Sequence, residues 1–148
     1  MKIYLASDHA GFDLKESVKS YLSSKKLEVE DCGNYQKIED DDYPDWISKA
    51  ADKVSIEPGS VGIVFGKSGE GEAIVANKFK NIRAVIGFNV ENVRLTREHN
   101  DANILCLGSQ FISPELAREL VDIFLNTSFS NEERHVRRIN KISAIEQK

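Results

Sequence analysis

At 148 residues, with 41% hydrophobic and 30% charged side chains, the chain has the size and composition of one soluble globular domain able to bury a core without staples. A formal charge of -4 and a pI near 5.4 argue against a general nucleic-acid-binding surface. No apolar run approaches the length of a membrane span, and Lys2 interrupts the start too early for a secretory leader, so the expected location is cytoplasmic, with no membrane partner.

The first expected strand is Lys2 to Ser7, ending in Asp8-His9-Ala10-Gly11. Leu14, Val18, Tyr21 and Leu22 then mark one face of a helix over Phe12 to Lys25. A second strand, Leu27 to Asp31, leads into a polar loop, Cys32 to Asp42, whose acidic run Glu39-Asp40-Asp41-Asp42 reads as solvated surface. Tyr43-Pro44 closes that loop before a helix from Asp45 to Val54. Cys32 and Cys106 are too few for a disulfide framework and lack metal-ligand spacing.

The most informative stretch follows. Val61, Ile63, Val64 and Phe65 suit a strand buried on both faces, and Ala73 to Phe79 reads as a short helix. Between them Gly66, Gly69 and Gly71 permit a tight turn whose amides can face an anion. The spacing fits neither a Walker loop nor a complete dinucleotide fingerprint. Ser68, Glu70 and Glu72 add the equipment for moving a proton beside a developing oxyanion, with Glu72 the leading base and Glu70 its competitor. Either carboxylate could instead serve the helix dipole.

Arg83 to Gly87 and Ile104 to Leu107 complete the strands, separated by a helix from Val90 to Glu98 and the polar run Arg97-Glu98-His99-Asn100-Asp101. Ser113-Pro114-Glu115 starts a helix to about Leu125. Ser130 with Glu133 suggests a capping box opening a last helix, over about 131–146. There Arg134 and Arg138 share one face and can hold a phosphate, unless they are simply solvated. The alternation implies a single α/β domain over residues 1–148, a doubly wound, Rossmann-like, five-stranded parallel sheet flanked by helices. Asp8-His9, Gly66 to Glu72 and His99-Asn100 are expected to converge at the carboxyl ends of the strands. His9 and His99 could act as acid, base or anion partner. No metal motif is present.

Seven segments together carry a resemblance. They are Ser7 to Gly11, Asp42-Tyr43-Pro44, Gly66 to Glu72 with Ala76-Asn77-Lys78, Ile82-Arg83-Ala84, Arg97 to Asp101, Leu107-Gly108-Ser109, and Arg134-His135 with Arg138. Spread in order over nearly the whole chain, they resemble the ribose-5-phosphate isomerase B enzymes of the ribose/galactose isomerase family. Glu72 and Gly66 match the variant with a glutamate base in place of a cysteine at position 66.

The resemblance implies a cofactor-independent aldose-ketose isomerase interconverting ribose 5-phosphate and ribulose 5-phosphate, a step of the pentose phosphate pathway. Glu72 would be the base, Ser68 and the backbone of Gly69 to Gly71 would surround the enediolate, and His99 would assist ring opening, with Asn100 alongside. Asp8 and Tyr43 would contact the sugar; Gly66, Lys67 and Glu70 would line the pocket; His9, Arg134 and Arg138 would hold the phosphate. It further implies a homodimer with shared sites, or a tetramer. Gln110 stands where the family usually has arginine, and Lys67 where glycine is common. A six-carbon sugar phosphate such as allose or galactose 6-phosphate is therefore an alternative substrate, and a non-catalytic phosphosugar-binding module an alternative role.

Overall fold

A computed structural model describes all 148 residues. Its strands are β1 (Ile3–Ser7), β2 (Val29–Asp31), β3 (Val61–Gly66), β4 (Ala84–Ile86) and β5 (Ile104–Gly108). Its helices are α1 (Phe12–Ser24), α2 (Tyr43–Ile56), α3 (Glu70–Ala76), α4 (Val90–Asn100), α5 (Pro114–Asn126) and α6 (Glu133–Glu146). Every strand pair is parallel, in the order β2-β1-β3-β5-β4. Strand order reverses between β1 and β3, where an open α/β sheet leaves a crevice beyond its carboxyl edge.

The doubly wound architecture follows from alternation along strands buried on both faces. Ile3, Leu5, Ile63, Phe65, Leu105 and Leu107 point to one side and pack against α1, α4 and α5. Tyr4, Ala6, Val64, Ile104 and Cys106 point to the other and meet α2 and α3. No helix is long and apolar enough to cross a membrane.

Two local expectations are corrected. The helix after β3 begins at Glu70, not Ala73, so both glutamates of the loop belong to its first turn. Ser130 does not cap α6, whose N-cap is Glu132; its hydroxyl instead faces His135 Nδ1 at 2.9 Å. Ser113 does cap α5, accepting the Leu116 N–H at 3.1 Å. α6 lies outside the two layers: it packs along α4, Glu146 accepts the Asn81 N–H at 3.1 Å, and Val136, Ile142 and Ile145 remain exposed.

One cation is fully enclosed. Lys15 on α1 has 0% exposure, and its Nζ donates to both Asp31 oxygens at 2.8 Å and to the Asn34 carbonyl at 2.7 Å. All three ammonium protons are thus used. Asp31 also accepts from Lys19 and the Gly33 N–H. Burial pushes the Asp31 carboxyl up, but these donors outweigh it and hold the group below the usual carboxylate range. The cluster fixes the path of the chain leaving β2. Breaking a buried pair leaves an uncompensated charge, so Lys15→Met should lower the unfolding free energy by about 3 kcal/mol. The expected readout is a lower urea midpoint at unchanged slope; an unchanged midpoint would contradict the role.

Candidate active site

β1 and β3 lie side by side with Ser7 opposite Phe65, so the turns that follow them open onto the same edge. From the second turn, Glu72 folds back toward the sheet: it is 3% exposed, and a Cβ on Gly66 would fall 1.8 Å from its Oε1 and 2.2 Å from its Cδ. Its carboxylate therefore occupies the space that any side chain at position 66 would need. Burial, and after it the negative charge of Asp8, pushes the Glu72 carboxyl above its ordinary range, while its own amide and that of Gly69 pull the other way. The result is a desolvated carboxyl group whose affinity for protons is raised above that of a free glutamate, the direction that suits a general base.

Around it the walls are close. Asp8 is 6% exposed and accepts the Gly11 N–H at 2.9 Å. The Tyr43 ring stands against α3, where a Cβ on Gly71 would lie 2.7 Å from its Cζ. The loop is stitched to the end of β5: Ser109 N–H donates to the Gly66 carbonyl at 2.8 Å and Gln110 N–H to the Lys67 carbonyl at 3.0 Å. Ser109 Oγ donates to the Ala10 carbonyl at 2.8 Å, tying the first turn to the same frame. Ser68 is half-buried, with the Glu70 N–H 3.3 Å from its Oγ. Lys67, Glu70 and Gln110 are exposed.

His9 stands beside this group, its Nδ1 2.6 Å from Asp41 Oδ1. That hydrogen bond, opposed by partial burial and aided by Asp8, raises the His9 pKa above the ordinary histidine value. Asp41 corrects the reading of the acidic run as uniformly solvated. Glu39, Asp40 and Asp42 are exposed, but Asp41 is turned inward, where it accepts from Asn34 and Trp46 as well. Nothing in four consecutive acids distinguishes the third. Potential ligand atoms of Asp8, His9 and Asp41 lie within 4.8 Å of one another, yet the Asp41 oxygens already face four N–H donors and a cation would have to compete with them.

The expected convergence of all three clusters does not occur within one chain. α4 runs back along the sheet, so His99 and Asn100 end near the start of β5, whose Ile104 is level with Gly62. Gly62 to Gly66 spans about 13 Å at 3.3 Å per residue, which separates them from Glu72 by at least the height of the sheet. There His99 packs on His135 with ring centroids 4.3 Å apart. His135 is 3% exposed; burial and then the neighbouring His99 lower its pKa. Arg134 donates to Glu132 at 2.8 Å, and it and Arg138 are exposed. A cavity of about 340 Å³ also opens at this end, but Arg83 and Arg97 in its wall are already engaged with Asp101 and backbone carbonyls. The chain thus carries one polar cluster at each end of its sheet: Asp8, His9, Tyr43, Ser68 and Glu72 above, His99, Asn100, Arg134 and Arg138 below.

A ribose/galactose isomerase family model matches residues 3–142. Ribose-5-phosphate isomerase B of Mycolicibacterium paratuberculosis is 40% identical over 146 residues, 99% of this chain and 92% of that protein. Among solved structures, ribose-5-phosphate isomerase B of Clostridium thermocellum superposes with a TM-score of 0.95 at 41% identity, covering 99% of this chain and 98% of its own. The Mycoplasma genitalium enzyme, solved with bound ribulose-5-phosphate, gives 0.95 at 36% identity, covering 99% and 97%.

The raised Glu72 pKa has a thermodynamic consequence. A carboxyl whose native pKa exceeds its unfolded value favours folding below the unfolded value, near 4.5, and that contribution is lost as pH rises through the native pKa. Glu72→Gln, which removes the charge, should therefore match the parent's stability trend in acid and gain on it as pH rises toward neutrality. Urea midpoints measured for both proteins across that range check this; a parent that gains on the variant with rising pH would contradict it.

Proposed function

Because the chain belongs to the ribose/galactose isomerase family, we infer that it interconverts ribose 5-phosphate and ribulose 5-phosphate. The observation that carries the reading to residues is Glu72, desolvated against Gly66 beside Asp8. Once the sugar ring is open, Glu72 removes the proton on C2. The electron pair moves into a C1–C2 double bond, and the former aldehyde oxygen takes up negative charge as a cis-enediolate. The amides of Gly69 to Gly71 and the Ser68 hydroxyl stabilise that charge. Glu72 then returns the proton to C1 while the C2 hydroxyl proton passes to O1, leaving a carbonyl at C2 and a hydroxyl at C1. Asp8 and Tyr43 hold the sugar, and Gly66, Lys67 and Glu70 border it.

His99 assists ring opening, with Asn100 beside it, while His9, Arg134 and Arg138 hold the phosphate. His99, Asn100 and the two arginines come from a second copy of the chain. Their placement at the far end of the sheet supports a two-fold homodimer, in which the upper cluster of one subunit meets the lower cluster of the other. The exposed apolar residues of α6 are available to that contact. The protein acts on its sugar phosphate without metal or organic cofactor and works in the cytoplasm. Lys67 and Gln110 are neighbours through a backbone hydrogen bond, and the exposed Lys67 supplies the phosphate charge that an arginine at 110 would bring.

Glu72→Gln should lower kcat on ribose 5-phosphate by about a thousandfold, the scale of general-base catalysis, while KM changes little. Glu70→Gln should be mild. Mixing inactive Glu72→Gln with inactive His99→Ala subunits should restore part of the activity, because hybrid dimers contain one intact site. Exchange of subunits without recovery would exclude the shared site, and full activity of Glu72→Gln would exclude the base.

A further inference from the structure

The Asp41 carboxylate is the most heavily bonded acceptor in the loop between β2 and α2, with its side chain 8% exposed. Oδ1 accepts the His9 backbone N–H at 2.9 Å and faces the His9 ring Nδ1 at 2.6 Å. Oδ2 accepts from Trp46 Nε1 at 2.8 Å and from Asn34 Nδ2 at 3.0 Å. The donors come from three separate segments: the turn after β1, helix α2, and the loop after β2. Behind Asn34 stands Lys15, donating to its carbonyl at 2.7 Å. A carboxylate with both oxygens doubly engaged is ionised and has little rotational freedom.

We propose that Asp41 is a positioning residue for the phosphate of the substrate, fixing His9 with Nδ1–H inward and Nε2 outward so that His9 meets the anion as an imidazolium donor. The proposal rests on the isomerase reading only in identifying the anion. Imidazole chemistry supplies the reason an acid belongs here. With Nδ1 committed as donor to Asp41, a neutral ring would turn a lone pair on Nε2 toward the phosphate, and only the cation turns an N–H. Asp41 therefore sets both the direction and the charge of the ring. The charged groups bearing on His9 are Asp8 on its own turn and Asp40 and Asp41 on the loop, all carboxylates, and each favours the imidazolium. Because the Asp41 hydrogen bond, and after it these charges, raise the His9 pKa, the hold on phosphate is present at low pH and is lost as pH rises through that raised value.

The chain has 3 histidines, so the His9 ring nitrogens can be assigned in the nitrogen-15 NMR spectrum by comparison with His9→Gln. The parent should show a ring protonated on both nitrogens at low pH and, as pH rises through the raised His9 pKa, the Nδ1–H tautomer; a neutral Nε2–H tautomer would overturn the proposal whether or not any variant folds. In Asp41→Asn the titration should move to lower pH, and inorganic phosphate should perturb His9 less. These readouts need no turnover, so a protein inactive on ribose 5-phosphate would refute the substrate reading and leave the role of Asp41 decided by the spectra. In steady state, Asp41→Asn should raise KM about tenfold at pH 7.5 with kcat nearly unchanged, as expected for the loss of one charge-assisted contact. It should have almost no effect in a His9→Gln background. An equal rise in KM in both backgrounds, or an unmoved His9 titration, would make Asp41 merely structural.

Discussion

A carboxylate kept out of water needs a reason to be there, since desolvation alone favours its neutral form. At Glu72 the reason is geometric. The side chain lies in the volume left by the missing Cβ of Gly66, at the end of a strand with every residue buried. The short loop, the first turn of α3 that contains Glu72, and the ties from Ser109 and Gln110 all serve to hold that one arrangement. Asp8 adds a second negative charge and thereby raises the proton affinity further. In the proposed reaction the stability given up at this point is what makes the group a useful base, a trade-off common at sites of chemistry.

The direction of the helices dictates the second constraint. In a parallel sheet each connecting helix must return the chain to the edge from which strands start, so residues at the end of α4 cannot reach ligands beyond the opposite edge. His99 and Asn100 obey that rule. Arg134 and Arg138 sit on a helix outside the two layers, with apolar residues exposed on it. One chain therefore presents an upper cluster with a base but few cationic groups of its own, His9 and the exposed Lys67, and a lower cluster with the two arginines but without Glu72. Two copies related by a two-fold axis supply each lack twice, and for that reason the proposed functional unit is a dimer.

Much of this was legible in the sequence because it depends on local pattern. The alternating apolar runs specify the buried strands, the glycine-rich turn specifies a close approach, and Glu72 stands in register with it. Strand order was less accessible: β5 lies between β3 and β4, and periodicity does not encode which neighbour a buried strand selects. Ser130 carried a capping signal, yet His135 claimed its hydroxyl, a tertiary contact that overrides local preference. Lys15 and Asp41 were hidden for one shared reason. A charged residue reads as solvated unless its partners are known, and theirs come from segments distant in the chain. The two-ended placement of the polar clusters was hidden as well, since chain order gives the end of a helix no distance from the end of a strand.

Proton transfer at carbon is the most direct test of the central claim that Glu72 is the base. With ribose 5-phosphate in deuterated water, the parent protein should place deuterium on C1 of ribulose 5-phosphate, followed by NMR, and Glu72→Gln should suppress that incorporation by about a thousandfold. Incorporation at the parent's rate in Glu72→Gln would contradict the account, because the proton would then be leaving C2 by another group.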